Sequence, residues 1–275
     1  LAIASMFAMS PSFKLINSQI TNVPPKLNRF SKFWLQTKFN FLFSNIILSN
    51  TEKGIEVYNA PKNKSFCIYN GFDLNRVLNL DKPEIVKKRF KLEDQKVIGM
   101  IGAVENKKDY HCYITAAKEL LTKRKDIVFF IVGDGSKLNI IKSLIEEKEK
   151  NNFIFTRNLQ DVENIIQIFD VGVLCTNDKV HGEGISNVIL EMMAQAKPVI
   201  ATLGGGTQEI ISNGKNGLLI KPGDSNELCN SILNLLDKPE DFSFLGVEAS
   251  RTVVEKFDNI NNNNKYCKLY KKINN

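Results

Sequence analysis

The sequence predicts an α/β fold in which a parallel, doubly wound sheet carries helices on both faces. Three observations predict it. Short runs rich in Val, Ile and Phe alternate with stretches of helical periodicity about six times from residue 96 onward, the rhythm of strand–helix–strand crossovers. The runs are unbroken, as strands buried on both faces require. Glycines follow several of them, at Gly102, Gly133 and Gly204. Sheets of this kind bind ligands at the carboxyl ends of their strands, where backbone must come close.

Composition excludes several classes. The 275 residues are 43% hydrophobic and 24% charged, ordinary for one large globular domain or two modest ones. Disorder, collagen-like repeats and disulfide scaffolds do not fit. No stretch of about 18 residues is apolar and uncharged, which argues against a membrane-spanning helix. Cys67, Cys112, Cys175, Cys229 and Cys267 are odd in number, scattered, and form no C-x-x-C. That suits a reducing compartment and no zinc site. Two histidines, His111 and His181, are too few for a histidine-rich metal centre. The formal charge of +7 is uneven: residues 1–95 hold 14 of the 37 Lys/Arg but 7 of the 30 Asp/Glu. Glu52 is the first acidic residue. This basic third contains Phe13, Phe30, Phe33, Trp34, Phe39, Phe41 and Phe43. It reads as a core helix with a solvated basic face. Contact with an anionic lipid surface is the alternative; nucleic acid is not expected as a partner.

In chain order, residues 1–9 read as the tail of a helix and 13–18 as a short strand. Residues 26–43 mix apolar and basic side chains at helical spacing. Residues 46–49 are a strand, and Asn50 or Thr51 caps a helix over 51–58. A strand over 65–69 ends in the turn Asn70-Gly71. The polar stretch 74–95 reads as a linker with one helix near 83–90. Beyond it come a strand over 97–102, a helix over 109–123 and a strand over 127–132 that ends in Gly133-Asp134-Gly135. Ser136 is placed to cap a helix in which Leu138, Ile141 and Ile145 recur. Further strands read at 153–155, 171–175, 198–201 and 217–220. Helices alternate with them at 161–168, 185–196, 207–212 and 225–236. The asparagine tract 261–264 reads as a polar loop.

Chemistry concentrates at His181-Gly182-Glu183-Gly184-Ile185-Ser186-Asn187-Val188-Ile189-Leu190-Glu191, which follows a strand and opens a helix. Glycines on both sides of Glu183 allow close approach. Ser186 and Asn187 lie where free N–H groups and the positive dipole end can hold phosphate. Glu191 leans back toward the helix start. The two carboxylates then suit two hydroxyl-rich parts of one ligand. Alone, a loop acid and a surface helix acid would mean little. A second feature, Gly102 to Asp109 with Lys107 and Lys108, suits a diphosphate or is a solvated turn. Gly133-Asp134-Gly135 reads as a strand–turn–helix junction. Gly204-Gly205-Gly206 permits close backbone approach or is a flexible turn. His111 reads as a helix-surface residue and His181 as a loop residue. No Ser/His/Asp series and no Walker-type loop occur.

The Glu183-x7-Glu191 pattern resembles the retaining glycosyltransferases of family 4. So do Val132-Gly133-Asp134-Gly135, Lys197-Pro198-Val199-Ile200-Ala201-Thr202 and Gly217-Leu218-Leu219-Ile220. Ile68-Tyr69-Asn70-Gly71-Phe72-Asp73 resembles that family's join between domains. The resemblance covers about residues 45–270. It implies the GT-B fold, with two facing Rossmann-like domains. The implied division is a partial N-terminal, acceptor-side domain over 1–75, a linker over 76–95 and a nucleotide-sugar domain over 96–255. A C-terminal helix over 256–275 packs back on the first domain.

The implied reaction moves a hexose or N-acetylhexosamine from a UDP- or GDP-sugar to a saccharide or lipid-linked acceptor, with retention, in cell-surface polysaccharide synthesis. By the motif match, Glu183 is the catalytic residue at the donor sugar. Gly102, Lys108, Gly184, Ile185, Ser186, Asn187 and Glu191 bind the donor, Glu191 at the ribose and Lys108 at a phosphate. The resemblance implies no metal and no further cofactor. It places the chain in the cytoplasm, at most peripheral to the inner membrane face. Two departures stand out. Ala103 replaces the family's usual arginine, with Lys107 as a substitute, and the residues before Asn70 are fewer than the family's first domain. The expectation is therefore an N-terminally truncated chain. The alternatives are an inactive or binding-only fragment and a nucleotide-sugar epimerase on the same fold.

Overall fold

The structure is a computed structural model that describes residues 14–157 and 159–274. The helix tail read at 1–9 and the strand start at Phe13 lie outside the described residues. Two parallel sheets organise the rest. The first has three strands in the order β1-β2-β3: β1 (Ile16–Ile20), β2 (Ile46–Ser49) and β3 (Ser65–Cys67). The second has six. They are β4 (Lys96–Ile101), β5 (Ile127–Val132), β6 (Phe153–Thr156), β7 (Val171–Leu174), β8 (Val199–Thr202) and β9 (Leu218–Ile220). Their order is β6-β5-β4-β7-β8-β9, all parallel. The order runs outward in both directions from the β4/β7 pair, so that pair is the topological switch point. A crevice opens there in doubly wound sheets.

Side-chain alternation explains the unbroken apolar runs. Val97 and Ile101 of β4 and Val128, Phe130 and Val132 of β5 enter one core. Ile98, Met100, Phe129 and Ile131 enter the other. Successive strand residues face opposite sides, and helices cover both. On one side lie α4 (Tyr110–Lys123), α5 (Leu138–Ser143) and α9 (Ser225–Asp237). On the other lie α3 (Pro83–Arg89), α6 (Val162–Ile166), α7 (Asn187–Ala194), α8 (Thr207–Ile210) and α10 (Pro239–Lys256). The first sheet carries α1 (Lys32–Phe43) and α2 (Glu52–Val57). α11 (Asn259–Asn274) crosses back to it and inserts Leu269 beside Ile46, Leu48 and Ile68.

Several expectations are corrected. α1 begins only at Lys32, because Ser31 Oγ caps it by accepting the Trp34 N–H at 3.1 Å. It enters the first sheet's core through Phe41, while its other aromatic residues are half-buried or exposed. Phe41 is buried, but Phe30 is 89% exposed and Leu42 71%, with Phe33 and Phe39 also exposed. Ser136 caps nothing: its N–H and Oγ both bond the Glu105 carboxylate, at 2.6 and 2.8 Å. The asparagine tract is helical, inside α11, because Asn262 is buried and its Nδ2 donates to Asn70 O at 3.4 Å. The helix α10 was not anticipated. Its buried Leu245, Ala249 and Val253 recur every fourth residue but are diluted by exposed Phe244, Val247 and Val254. The stretch read as a linker folds onto the second sheet's core, with Val86 buried and Phe90 and Leu92 packed on it.

Candidate functional site

The site forms where the chain leaves β4 and β7. Gly102 turns the chain at φ +155°, and its N–H donates to Val132 O at 2.9 Å. Gly133, at φ +143°, lies so close that a Cβ would stand 2.1 Å from Gly102 O; a Cβ on Gly135 would stand 2.4 Å from Val104 O. Gly133-Asp134-Gly135 is thus the surface against which the β4 loop is moulded. Tyr110 Oη donates to Gly102 O at 2.7 Å. Asp109 caps α4 through the Cys112 N–H at 3.0 Å, and its own N–H donates to Cys175 O at 2.9 Å. The Asn177 N–H donates to Lys107 O at 3.0 Å. This antiparallel contact of Lys108 with Thr176 carries the Lys108 side chain across the switch point.

Glu183 receives it. Lys108 Nζ bonds Glu183 Oε1, Thr176 Oγ1 donates to the same oxygen at 3.0 Å, and His181 Nε2 lies 3.7 Å from Oε2. The carboxylate is buried. Burial pushes its pKa up, but His181 and Lys108 outweigh that and hold it down to about 2. Glu183 is therefore an anion at neutral pH, able to accept hydrogen bonds and to stabilise positive charge, and unsuited to donating a proton.

Glycines let three backbones converge on this residue. Gly205 sits at φ +56°, and its Cβ would stand 2.3 Å from Glu183 O. The Gly206 N–H donates to that oxygen at 2.8 Å. On the opposite side the Val23 N–H donates to Gly182 O at 3.0 Å, and a Cβ on Gly182 would stand 1.7 Å from Val23 O. Gly184 presses likewise on Thr21 O. The Glu209 carboxylate, from α8, accepts the Glu52 and Lys53 N–H groups at 2.9 and 2.8 Å. The triple glycine is therefore a packing requirement rather than a slack turn. A cavity of about 270 Å³ remains, walled by Pro24 and Lys53 on one side and Thr176, His181, Glu183 and Gly204 on the other.

The expected donor set divides into two groups. Gly102, Lys108 and Glu183 come together as described. Ile185 and Asn187 are engaged by Asn70, whose Nδ2 donates to Ile185 O and Asn187 Oδ1, both at 3.1 Å. Ser186 is the N-cap of α7 and makes no side-chain capping bond. Glu191 does not line the cavity that holds Glu183. It accepts from Arg76 Nη2 at 3.1 Å, and the same nitrogen contacts Glu163 Oε1. Burial raises the Glu191 pKa, Arg76 opposes that, and Glu163 adds to it. Ala103 and Lys107 are exposed, and His111 lies exposed on α4. Sequence reasoning misses Thr176, Arg76 and Glu163, and it reaches Glu209 only as the end of the segment Gly204-Gly205-Gly206-Thr207-Gln208-Glu209, with no role. Arg76 sat in a polar stretch and Glu163 among many helix acids, so neither was marked.

A family model described as "Glycosyl transferases group 1" matches residues 81–249. An uncharacterised glycosyltransferase of Methanocaldococcus jannaschii is 25% identical over 252 residues, covering 90% of this chain and 62% of the relative. The poly(ribitol-phosphate) α-N-acetylglucosaminyltransferase of Staphylococcus aureus is 25% identical, covering 77% of this chain and 43% of the relative. The chain thus spans less than two thirds of the length of these relatives. Among solved structures, Anabaena HepE in complex with UDP superposes with a TM-score of 0.85 at 20% identity, over 98% of this chain and 75% of that one. Staphylococcus aureus TarM gives 0.75 at 20% identity, over 94% and 50%. The fold is the two-sheet GT-B architecture.

Proposed function

We propose that this chain, which belongs to the glycosyl transferases group 1 family, transfers a sugar from a nucleotide-sugar donor to a saccharide or lipid-linked acceptor. One observation carries the reading: a buried, ionised Glu183 held by Lys108 and Thr176 at the switch point of a doubly wound sheet. Glu183 would accept hydroxyls of the donor sugar and offset positive charge at the reacting carbon. Lys108 and the N–H groups from Gly184 to Asn187 would face the diphosphate, and Glu191 the ribose. A lysine and a helix N-terminus can neutralise a leaving diphosphate, so the reaction we propose is metal-independent. It retains configuration, in the manner of family 4. UDP is the favoured nucleotide, since HepE holds UDP in the same fold, with GDP next. A cell-surface polysaccharide role follows the naming of the poly(ribitol-phosphate) enzyme and of a capsular polysaccharide glycosyltransferase that is 25% identical. A binding-only protein is the second reading, and exposed Ala103, which brings no cation to the β4 end, favours it.

Thermal denaturation with UDP, GDP, ADP and their sugar conjugates tests the donor site. A ligand at about 100 times its Kd adds roughly 2.7 kcal/mol, or about 5–11 °C in Tm for a chain of this size. One base should shift Tm, and Glu191→Gln should remove much of that shift. No shift from any nucleotide, with the protein folded, sinks the reading. A shift without sugar transfer to any acceptor leaves the binding-only protein.

Five free cysteines, three of them buried, suit the cytoplasmic location we propose. No described helix is long and apolar enough to cross a membrane. The peripheral contact with an anionic surface rests on exposed Phe30 and Phe33, neighbours in the chain of exposed Arg29 and Lys32. Co-sedimentation with phosphatidylglycerol vesicles but not phosphatidylcholine vesicles is the expected result; equal recovery with both removes the contact.

A further inference from the structure

Arg76 lies in the 3-10 turn Leu74–Val77, just after the chain has crossed between the two sheets at Phe72. Its guanidinium stands over the Phe72 ring, 5.1 Å from the centroid. From there Nη2 reaches two buried carboxylates on different helices, Glu163 of α6 and Glu191 of α7. Nothing in the proposed reaction uses Arg76 or Glu163. Yet two carboxylates in one buried site do not both stay ionised without a cation beside them. Among the described residues only Arg76 hydrogen-bonds Glu191, and it takes Oε1 alone. The second oxygen is left without a donor from the chain. A carboxylate held at one oxygen and open at the other is oriented to receive a hydroxyl.

We propose that Arg76 is the positioning residue of the donor site: it keeps Glu191 ionised and turned, so that the free oxygen meets the ribose, and Glu163, in contact with the same guanidinium nitrogen, holds that nitrogen in place. The inference rests on the reading of Glu191 as a donor ligand. It adds that the residue setting the charge state of this ligand comes from the crossing between the two units. The groups acting on Glu191 are Arg76 from the turn and Glu163 from α6. α10, packed on α7, buries Ala249 and Val253 in the core the two helices share.

Removing the cation leaves two like charges in one buried site. An opposite charge at contact distance moves a carboxyl pKa by about 1–3 units, and one unit is tenfold in the ionised fraction. Only the ionised form accepts both ribose hydroxyls, so affinity is present above the Glu191 midpoint and lost as pH falls through it. Nucleotide affinity of the full chain is measured by calorimetry from pH 5 to 9, using the base that shifts Tm. In Arg76→Gln the midpoint of the affinity profile should rise by about 1–3 pH units, with binding recovered at the alkaline end. Arg76→Lys should restore part of the profile. Adding Glu163→Gln to Arg76→Gln should bring the midpoint back down, because the remaining like charge is gone. A loss of affinity that is uniform in pH, or no loss, overturns the proposal and leaves Arg76 a packing residue. If the unmodified chain binds no nucleotide, the donor reading itself has failed. Carbon-13 NMR titration of the Glu191 carboxyl, assigned with Glu191→Gln, then decides on Arg76 separately. An unmoved midpoint in Arg76→Gln refutes its control of Glu191, and an upward one supports it.

Discussion

Glu183→Gln is expected to lower sugar transfer by about a hundred- to a thousandfold, the usual cost of removing one preorganised electrostatic group. The amide keeps the shape of the side chain but not its charge. Lys108 would then lie almost buried against a neutral partner, and Thr176 would face an amide that carries no full charge. Stability should report the same change. The folded-state pKa is depressed to about 2 from an ordinary 4.5. The ionised group therefore contributes stability that is present above about 4.5 and lost as pH falls toward 2. The magnitude is roughly 3 kcal/mol. Tm measured against pH should fall through that window in the unmodified chain and much less in Glu183→Gln. At pH 7 the variant should melt about 6–12 °C lower. A variant that transfers sugar at the original rate would remove Glu183 from the reaction, whatever its effect on Tm.

Gly133→Ala should produce a large loss of stability from a single methyl group. Two costs coincide. The residue sits at φ +143°, where a side chain is strained, and the new Cβ would meet Gly102 O at 2.1 Å. The obstacle is backbone at the end of β4, and it cannot rotate away. Strain of this kind costs about 1–3 kcal/mol, and overpacking a similar amount again. Gly204→Ala is the matched control. It has φ +141° and nothing within 4 Å of its Cβ, so it carries the strain without the collision. Urea denaturation should place Gly133→Ala about 2 kcal/mol or more below Gly204→Ala. Equal losses would mean that the β4 and β5 loops do not press on each other as described.

The second sheet was legible because its signal is local. An unbroken run such as Ile127–Val132 announces burial on both faces, and a glycine after it announces a turn that admits no Cβ. Glu183 and Lys108 were legible through their chain neighbours. What the sequence hid is set by distant partners. Ser136 has the chemistry of a helix cap, but Glu105, brought in by the β4 loop, takes both its bonding groups. Asn262 belongs to a tract that looks like solvent-exposed loop, and the backbone of Asn70 buries it. Phe30 and Phe33 were read as core because aromatic residues usually are, and no local pattern told otherwise. Glu191 lies one to two turns into its helix, as the sequence reads, but its partner Arg76 is 115 residues away. Proximity of that kind comes from topology, which periodicity does not encode.

The crossing at Phe72 also bears on how the two units are joined. The chain passes between the two units there and passes back beside it, and the two passages are bonded together. The Phe72 N–H donates to Phe257 O at 2.7 Å, and the Asn259 N–H donates to Phe72 O at 3.0 Å. A single strand of backbone would let one unit swivel against the other. Two strands tied side by side resist torsion and leave bending as the soft coordinate. Any movement of one unit against the other would thereby be confined to one arc, the arc that keeps Val23 in line with Gly182.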